Sequence, residues 1–395
     1  MRSKLLKILM AVFAVCLIAP AFSAVENVKV GGDIAVYGVL RGDFTDENLH
    51  FLQAPVRVYV SADLSENVSV MVRLLNEFNF GYTHTENLNT NQILLDLAYV
   101  KVSDLLTPGL SLTVGRQEIQ LGEGLVVGSR YRTTNYPGKE LYANEFATDL
   151  GVLKAFDAIR IDYAPKALPM NLILFRAKIN ETFAGNDENL YGADIGFKVA
   201  DVANIDVYFV REDADNINTY GARIVSGIPA VEGLSLKAEY AKQSQDSTGW
   251  ALLAGAEYKM STAMKPMVKV NYARYSEDWT LVYPSNIGSR IGPILYAYDA
   301  YTYGLVENGN AQFINLGFGI SPTEKLAISL DGYWGRFLKP YIGTEKNIGY
   351  EVDLGIDWKY SEDLTFGLMG GMLFGDKDYF DENPWQIIGC VKVAF

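Results

Sequence analysis

Two histidines and two cysteines in 395 residues leave little from which to build a metal or nucleophilic centre. His50 and His84 fall in expected connections between early strands. No third ligand stands at metal spacing near His84 and Glu86, and a serine–histidine site would have to assemble across loops. Neither a cofactor, a metal nor catalysis is therefore expected. Cys16 precedes the expected mature chain, so Cys390 has no intrachain partner and a disulfide is excluded. Basic residues are outnumbered: 34 Lys and Arg face 47 Asp and Glu, a net charge of −13 without a nucleic-acid footprint. No stretch reaches the roughly 20 apolar residues of a membrane helix. No Pro- or Ser-rich linker divides the chain, which argues against several domains.

Aromatics and glycine are abundant. There are 25 Tyr, 19 Phe, 5 Trp and 36 Gly, yet the mean hydropathy is only +0.05. That combination suits strands that show only alternate residues to lipid. At the N-terminus, Arg2, Lys4 and Lys7 precede an apolar run from Ile8 to Pro20, then Ala21-Phe22-Ser23-Ala24. This reads as a signal peptide over residues 1–23, with a mature chain of 24–395. Three basic residues leave with it, so 34 becomes 31 against 47 acids and the balance falls to −16.

Period-2 alternation recurs along the mature chain. Leu52, Ala54, Val56, Val58 and Val60 oppose Gln53, Pro55, Arg57 and Tyr59, and Tyr350, Val352, Leu354, Ile356 and Trp358 oppose Glu351, Asp353, Gly355, Asp357 and Lys359. The final segment repeats it: Trp385, Ile387, Gly389, Val391, Val393 and Phe395 share one face, with Lys392 on the other. Charges on the mixed face cannot sit in a dry core unpaired. They can line water. Short turns, such as 164–169, 260–266 and 360–363, alternate with longer connections, above all 118–150 and 276–310. The expected fold is all-β: a single-domain transmembrane antiparallel up-and-down β-barrel of about 18 strands in an outer membrane, with both termini on the short-turn side. Tyr240, Trp250, Tyr272, Trp334, Tyr350 and Trp385 are expected to form one aromatic girdle, and Tyr163, Tyr258, Trp358 and Phe395 the other.

A barrel of that size is too wide for side chains to fill. Parity assigns Arg57, Arg73, Arg160, Lys198, Arg223, Lys237, Lys259 and Lys269 to the channel wall, together with Asp33, Asp194, Glu239, Glu257, Asp331, Glu351 and Asp353. Bases come earlier in the chain and acids later, so one wall is expected to be more positive and to guide anions. The alternative is a cross-paired, neutral wall. The expected partners are outer-membrane lipid, the barrel assembly machinery and a polar or anionic solute.

The stretch Gly115-Arg116-Gln117-Glu118 runs on through spaced glycines to Gly128, and Phe156-Asp157-Ala158-Ile159-Arg160 opens a later strand. Without a βαβ context the glycines are not a phosphate loop. Over roughly residues 110–163 the chain resembles the alginate-export family of outer-membrane porins. That resemblance implies a monomeric 18-stranded channel for an anionic polysaccharide, with an arginine-rich constriction. Arg116 and Arg160 match the motif, and Arg130 and Arg132 sit in the adjoining loop as constriction candidates. Arg116 shares parity with Leu112 and Val114, so a channel-lining role needs a bulge at Gly115 or a position at the rim. Trp279, Tyr283, Tyr296, Tyr298, Tyr301 and Tyr303 lie in loop 276–310, where they would stack on sugars or pack together and close the mouth. The alternatives to a saccharide conduit are a general small-solute porin and a loop-plugged adhesin or structural barrel.

Overall fold

Strand Asn347–Lys359 shows in miniature how the molecule is built. In the computed structural model its alternate residues Tyr350, Val352 and Leu354 are 55, 45 and 47% exposed, whereas Glu351 and Asp353 between them are 2 and 6% exposed. The apolar residues face out and the charged ones in, the reverse of a soluble sheet. Burying a leucine-sized side chain is worth about 1.5–3 kcal/mol. A one-residue slip would put both carboxylates on the greasy face, so the register is strongly specified.

The structure describes all residues except 1–24, 45–47, 81–92, 131–146, 182–186, 201, 246, 285–291, 296, 298–308 and 342. The expected signal peptide, His84, Arg132 and the loop tyrosines Tyr296, Tyr298, Tyr301 and Tyr303 lie outside the described residues. The strands are β1 (Glu26–Gly42), β2 (Leu49–Ser65), β3 (Val68–Asn79), β4 (Leu94–Val102), β5 (Leu110–Gln117) and β6 (Phe156–Tyr163). They continue as β7 (Met170–Asn180), β8 (Glu188–Val199), β9 (Ala203–Glu212), β10 (Ile217–Gly227), β11 (Leu234–Ser244) and β12 (Trp250–Lys259). The last six are β13 (Met267–Tyr275), β14 (Ala311–Thr323), β15 (Leu326–Phe337), β16 (Asn347–Lys359), β17 (Leu364–Gly375) and β18 (Trp385–Ala394).

Each strand pairs antiparallel with its neighbours in sequence, and β1 pairs with β18, which closes one 18-stranded ring. The seam runs from Asp33↔Ala394 to Gly42↔Trp385 and is extended by Gly32 and Phe395, whose N–H groups each donate to the other's carbonyl at 2.9 and 3.0 Å. Glycine is needed there, because a Cβ on Gly32 would collide with the Arg57 carbonyl oxygen and stand 2.8 Å from Phe395 Cζ. The longest connections, residues 118–155 between β5 and β6 and 276–310 between β13 and β14, fall on one rim and the two-residue turn between β2 and β3 on the other. The expected alternation lapses in mid-chain, where 213–216 and 245–249 on the long-loop rim are shorter than 228–233 and 260–266 on the other. Both ends of the described chain lie on the short-turn side. The aromatics Tyr240 and Tyr350 are exposed on the outer face toward the long-loop rim, and Tyr258, Trp358 and Phe395 toward the other.

Candidate channel constriction

After β5 the chain turns into the barrel. Arg73 on β3 holds its start, binding Asp96 through Nε at 2.5 Å and Glu118 through Nη2. The tip follows at Gly122 and Gly124, with φ of +54° and +77° that glycine tolerates. There the Glu123 N–H donates to Glu239 on β11 at 2.7 Å, and the Tyr208 hydroxyl on β9 donates to the same carboxylate at 2.7 Å. A Cβ on Gly122 would lie 2.7 Å from Glu239 Oε1, so only glycine approaches this closely.

The Glu123 side chain continues to the wall. Arg223 on β10 donates to it from Nε at 3.0 Å and Nη2 at 2.5 Å, and Lys237 on β11 from Nζ at 3.1 Å. Arg223 also holds Asp206 at 3.0 Å. Strands β3 and β11 stand eight places apart in the ring of 18, so this segment spans the lumen. Burial pushes the Glu123 carboxyl up, but the hydrogen bond from Arg223 and the charge and hydrogen bond of Lys237 outweigh it. The net result is a carboxyl below its ordinary 4.5.

The return path is also fastened. Val127 bridges Tyr283, the Tyr283 N–H donates to the Val126 carbonyl at 2.9 Å, and the Gly128 N–H donates to the Tyr283 carbonyl at 2.8 Å. Farther on, Ala147 exchanges hydrogen bonds with the Gln53 amide, and Arg41 pairs with Asp149 at 2.7 Å while its guanidinium lies 5.2 Å from the Phe44 ring centroid. On β16, three strands from β1 across the seam, the Glu351 carboxylate accepts the Ile294 and Leu295 N–H groups at 2.7 and 2.9 Å. Ile119, Leu121, Leu125, Trp279, Leu281 and Ile294 are buried against wall residues such as Phe156, Ala241 and Phe313. An apolar cluster therefore occupies the long-loop half of the interior. At the short-turn end a cavity of about 740 Å³ remains, lined by Lys259, Met267, Ser329 and Asp357 among others.

The strand registers place Arg57, Arg73, Arg160, Lys198, Arg223, Lys237, Lys259 and Lys269 on the inner face, with Asp33, Asp194, Glu239, Glu257, Asp331, Glu351 and Asp353. Bases and acids meet as pairs: Arg57–Asp33 at 2.9 Å, Arg160–Asp162 at 2.5 Å, Lys269–Asp331 at 2.9 Å and Lys259–Glu257 at 2.6 Å. Glu239 and Glu351 hold loop backbone inside the lumen.

Arg116 departs from the expected channel-lining set. No register shift occurs at Gly115, so Arg116 stays on the face of Val114 and Ile159, opposite Asp157. It binds both Asp157 oxygens at 2.7 Å near the long-loop rim. Arg130 joins the same carboxylate at 2.9 Å and donates to the Ile179 carbonyl, which ties it to this cluster rather than to the Glu123 constriction. His50, on β2 opposite Leu40, is exposed on the outer parity.

Glu118, Glu123, Asp206 and Tyr208 were not anticipated. A carboxylate between two glycines at 122–124 was the one local sign of an inserted tip; Asp206 and Tyr208 gave none beyond strand parity.

No family model matches the sequence, and no curated protein matches it. The fold, in contrast, has many relatives. The chain is similar to OccK11 (OpdR) of Pseudomonas aeruginosa, at 12% identity and a TM-score of 0.65 over 94% of this chain and 96% of that one. OpdL of the same organism aligns at 11% and 0.66 over 93 and 99%, and OccAB4 of Acinetobacter baumannii at 10% and 0.63 over 94 and 98%. At such identities the likeness is one of fold. This chain has the closed 18-stranded barrel of the Occ/Opd outer-membrane porins. The alginate-export resemblance gains no support from these comparisons.

Proposed function

We propose that this protein is an outer-membrane channel of a Gram-negative bacterium that passes small polar solutes, including anions, without cofactor or energy coupling. One observation carries the reading: an inserted loop sets Glu123 against Arg223 and Lys237, placing charges of both signs beside the remaining passage. Rings of opposed charge orient a polar solute and tune ion preference. A solute carboxylate has the chemistry to compete with Glu123 for the same two cations. The apolar exterior and the Occ/Opd-like fold support placement in the outer membrane, where lipid and the assembly machinery are the attendant partners. Insertion of purified protein into planar bilayers tests the proposal: discrete conductance steps are expected.

An acidic polysaccharide is the narrower substrate reading. It rests on the sequence resemblance alone, and current block by uronate oligomers but not by neutral sugars would support it. The buried apolar cluster favours a second class, a barrel closed by its own loops. Absence of any conductance from well-folded protein would establish that reading instead.

A further inference from the structure

The outer face carries a charge pattern that transport does not use. Arg176, Lys178, Arg211, Lys242, Arg274 and Arg336 fall on the lipid-facing register of β7, β9, β11, β13 and β15, and all lie at the long-loop rim with Arg116. Among the described strand residues, the same register at the short-turn rim holds no Lys or Arg, only residues such as Tyr163, Val199, Val268 and Trp358. Basic side chains that merely snorkel from lipid to water would serve either rim equally. A one-sided band requires a one-sided partner.

Carboxylates that touch this band are already engaged: Asp157 with Arg116 and Arg130, Asp187 with Lys178, and Glu345, which interacts with Arg336, with the Lys346 and Asn347 N–H groups. Arg176 and Arg211, both exposed, donate to the neutral amides of Asn189 and Asn216 at 3.2 Å each, and Lys242 is exposed. Aromatic rings lie directly beneath. Arg176 lies 5.5 Å from the Tyr191 ring centroid and Arg274 5.3 Å from that of Trp250, while Tyr191 pairs across to both Arg176 and Arg211. Guanidinium forks beside an aromatic belt suit a phosphoryl group at the boundary between acyl chains and headgroups.

We propose that this band binds the phosphoryl groups of the anionic glycolipid of the outer leaflet, centred on Arg176, Arg211 and Lys242. The proposal rests on the outer-membrane reading above, which fixes the long-loop rim as the outward one. It is tested on the full folded chain in micelles, by native mass spectrometry with bisphosphoryl lipid A against its dephosphorylated form. The wild type should retain the phosphorylated lipid about tenfold better or more. That preference should vanish in Arg176→Gln/Arg211→Gln/Lys242→Gln and persist in Lys166→Gln/Lys265→Gln/Lys325→Gln, whose lysines sit on short turns at the other rim. Equal retention of the two lipids by the wild type overturns the proposal even if the triple variant does not fold, and so does a folded triple variant that keeps the preference. A barrel that conducts in bilayers but shows no such preference refutes the lipid site alone; one that never inserts refutes the membrane reading beneath it.

Discussion

Glu123 and Arg223, 100 residues apart in sequence, join the tip of an inserted loop to the barrel wall through two hydrogen bonds of 3.0 and 2.5 Å. The same carboxylate also offsets Lys237, so on the channel reading one contact positions the loop tip and balances the wall charge beside it.

Replacing that carboxylate should therefore change selectivity. Glu123→Gln leaves Arg223 and Lys237 without their shared anion and should raise the anion-to-cation permeability ratio. A partly exposed pair is worth about 0.5–1 kcal/mol, or a factor of about 2–5. Reversal potentials across a salt gradient measure it. An unchanged ratio would remove Glu123 from the conducting path.

Acid should loosen the same contact, but late. A carboxyl held below its ordinary 4.5 favours the docked loop as the anion, so this stabilisation is complete above 4.5 and is lost as the pH falls through the lowered native value. The Glu123-dependent part of the conductance, read as the difference between wild type and Glu123→Gln, should accordingly be flat from neutrality to about pH 5 and change only in stronger acid. In Glu123→Gln that acid step should be absent. A transition between pH 5 and 7 that disappears in Glu123→Gln would overturn the lowered value.

The inside-out arrangement predicts unequal tolerance of charge along β16. Leu354→Arg, on the exposed apolar face, should lower barrel stability by about 2–4 kcal/mol near the bilayer midplane. Asp357→Arg, on the inner face beside the short-turn cavity, should cost far less. Urea unfolding in lipid vesicles compares them, and equal losses would contradict the assignment of faces.

Cys390 offers a chemical check. It pairs with Tyr37 across the seam and shares the inner parity of Gln386 and Lys392. A charged, membrane-impermeant thiol reagent should label it in the folded barrel. The same reagent should fail on Cys390→Ser/Ile387→Cys, where the thiol faces lipid. The opposite pattern would reverse the barrel's two faces.

Much of the fold was legible in the sequence because a barrel strand obeys one local rule. Alternation in segments such as Tyr350–Trp358 and Trp385–Phe395 gives the facing, and turn residues mark the ends, so about 18 strands are legible. The interior was harder. Parity says that Glu239 and Glu351 point inward, but not that each would receive loop amides there. That depends on where segments near residues 122 and 294 travel, and non-local contacts leave no periodic trace. Arg116 shows the limit from the other side. The motif invited a place in the lumen, whereas uninterrupted register beyond Gly115 kept it outside with Asp157.

Glu118, Glu123 and Asp149, described residues of the connection after β5, bind β3, β11 and β1 respectively and so act as cross-ties within a thin-walled cylinder. Anything large enough to push them aside must also slacken the brace that keeps the ring's cross-section in shape. On the channel reading, the contacts that narrow the bore also brace the ring, so a wider bore comes only with a softer wall.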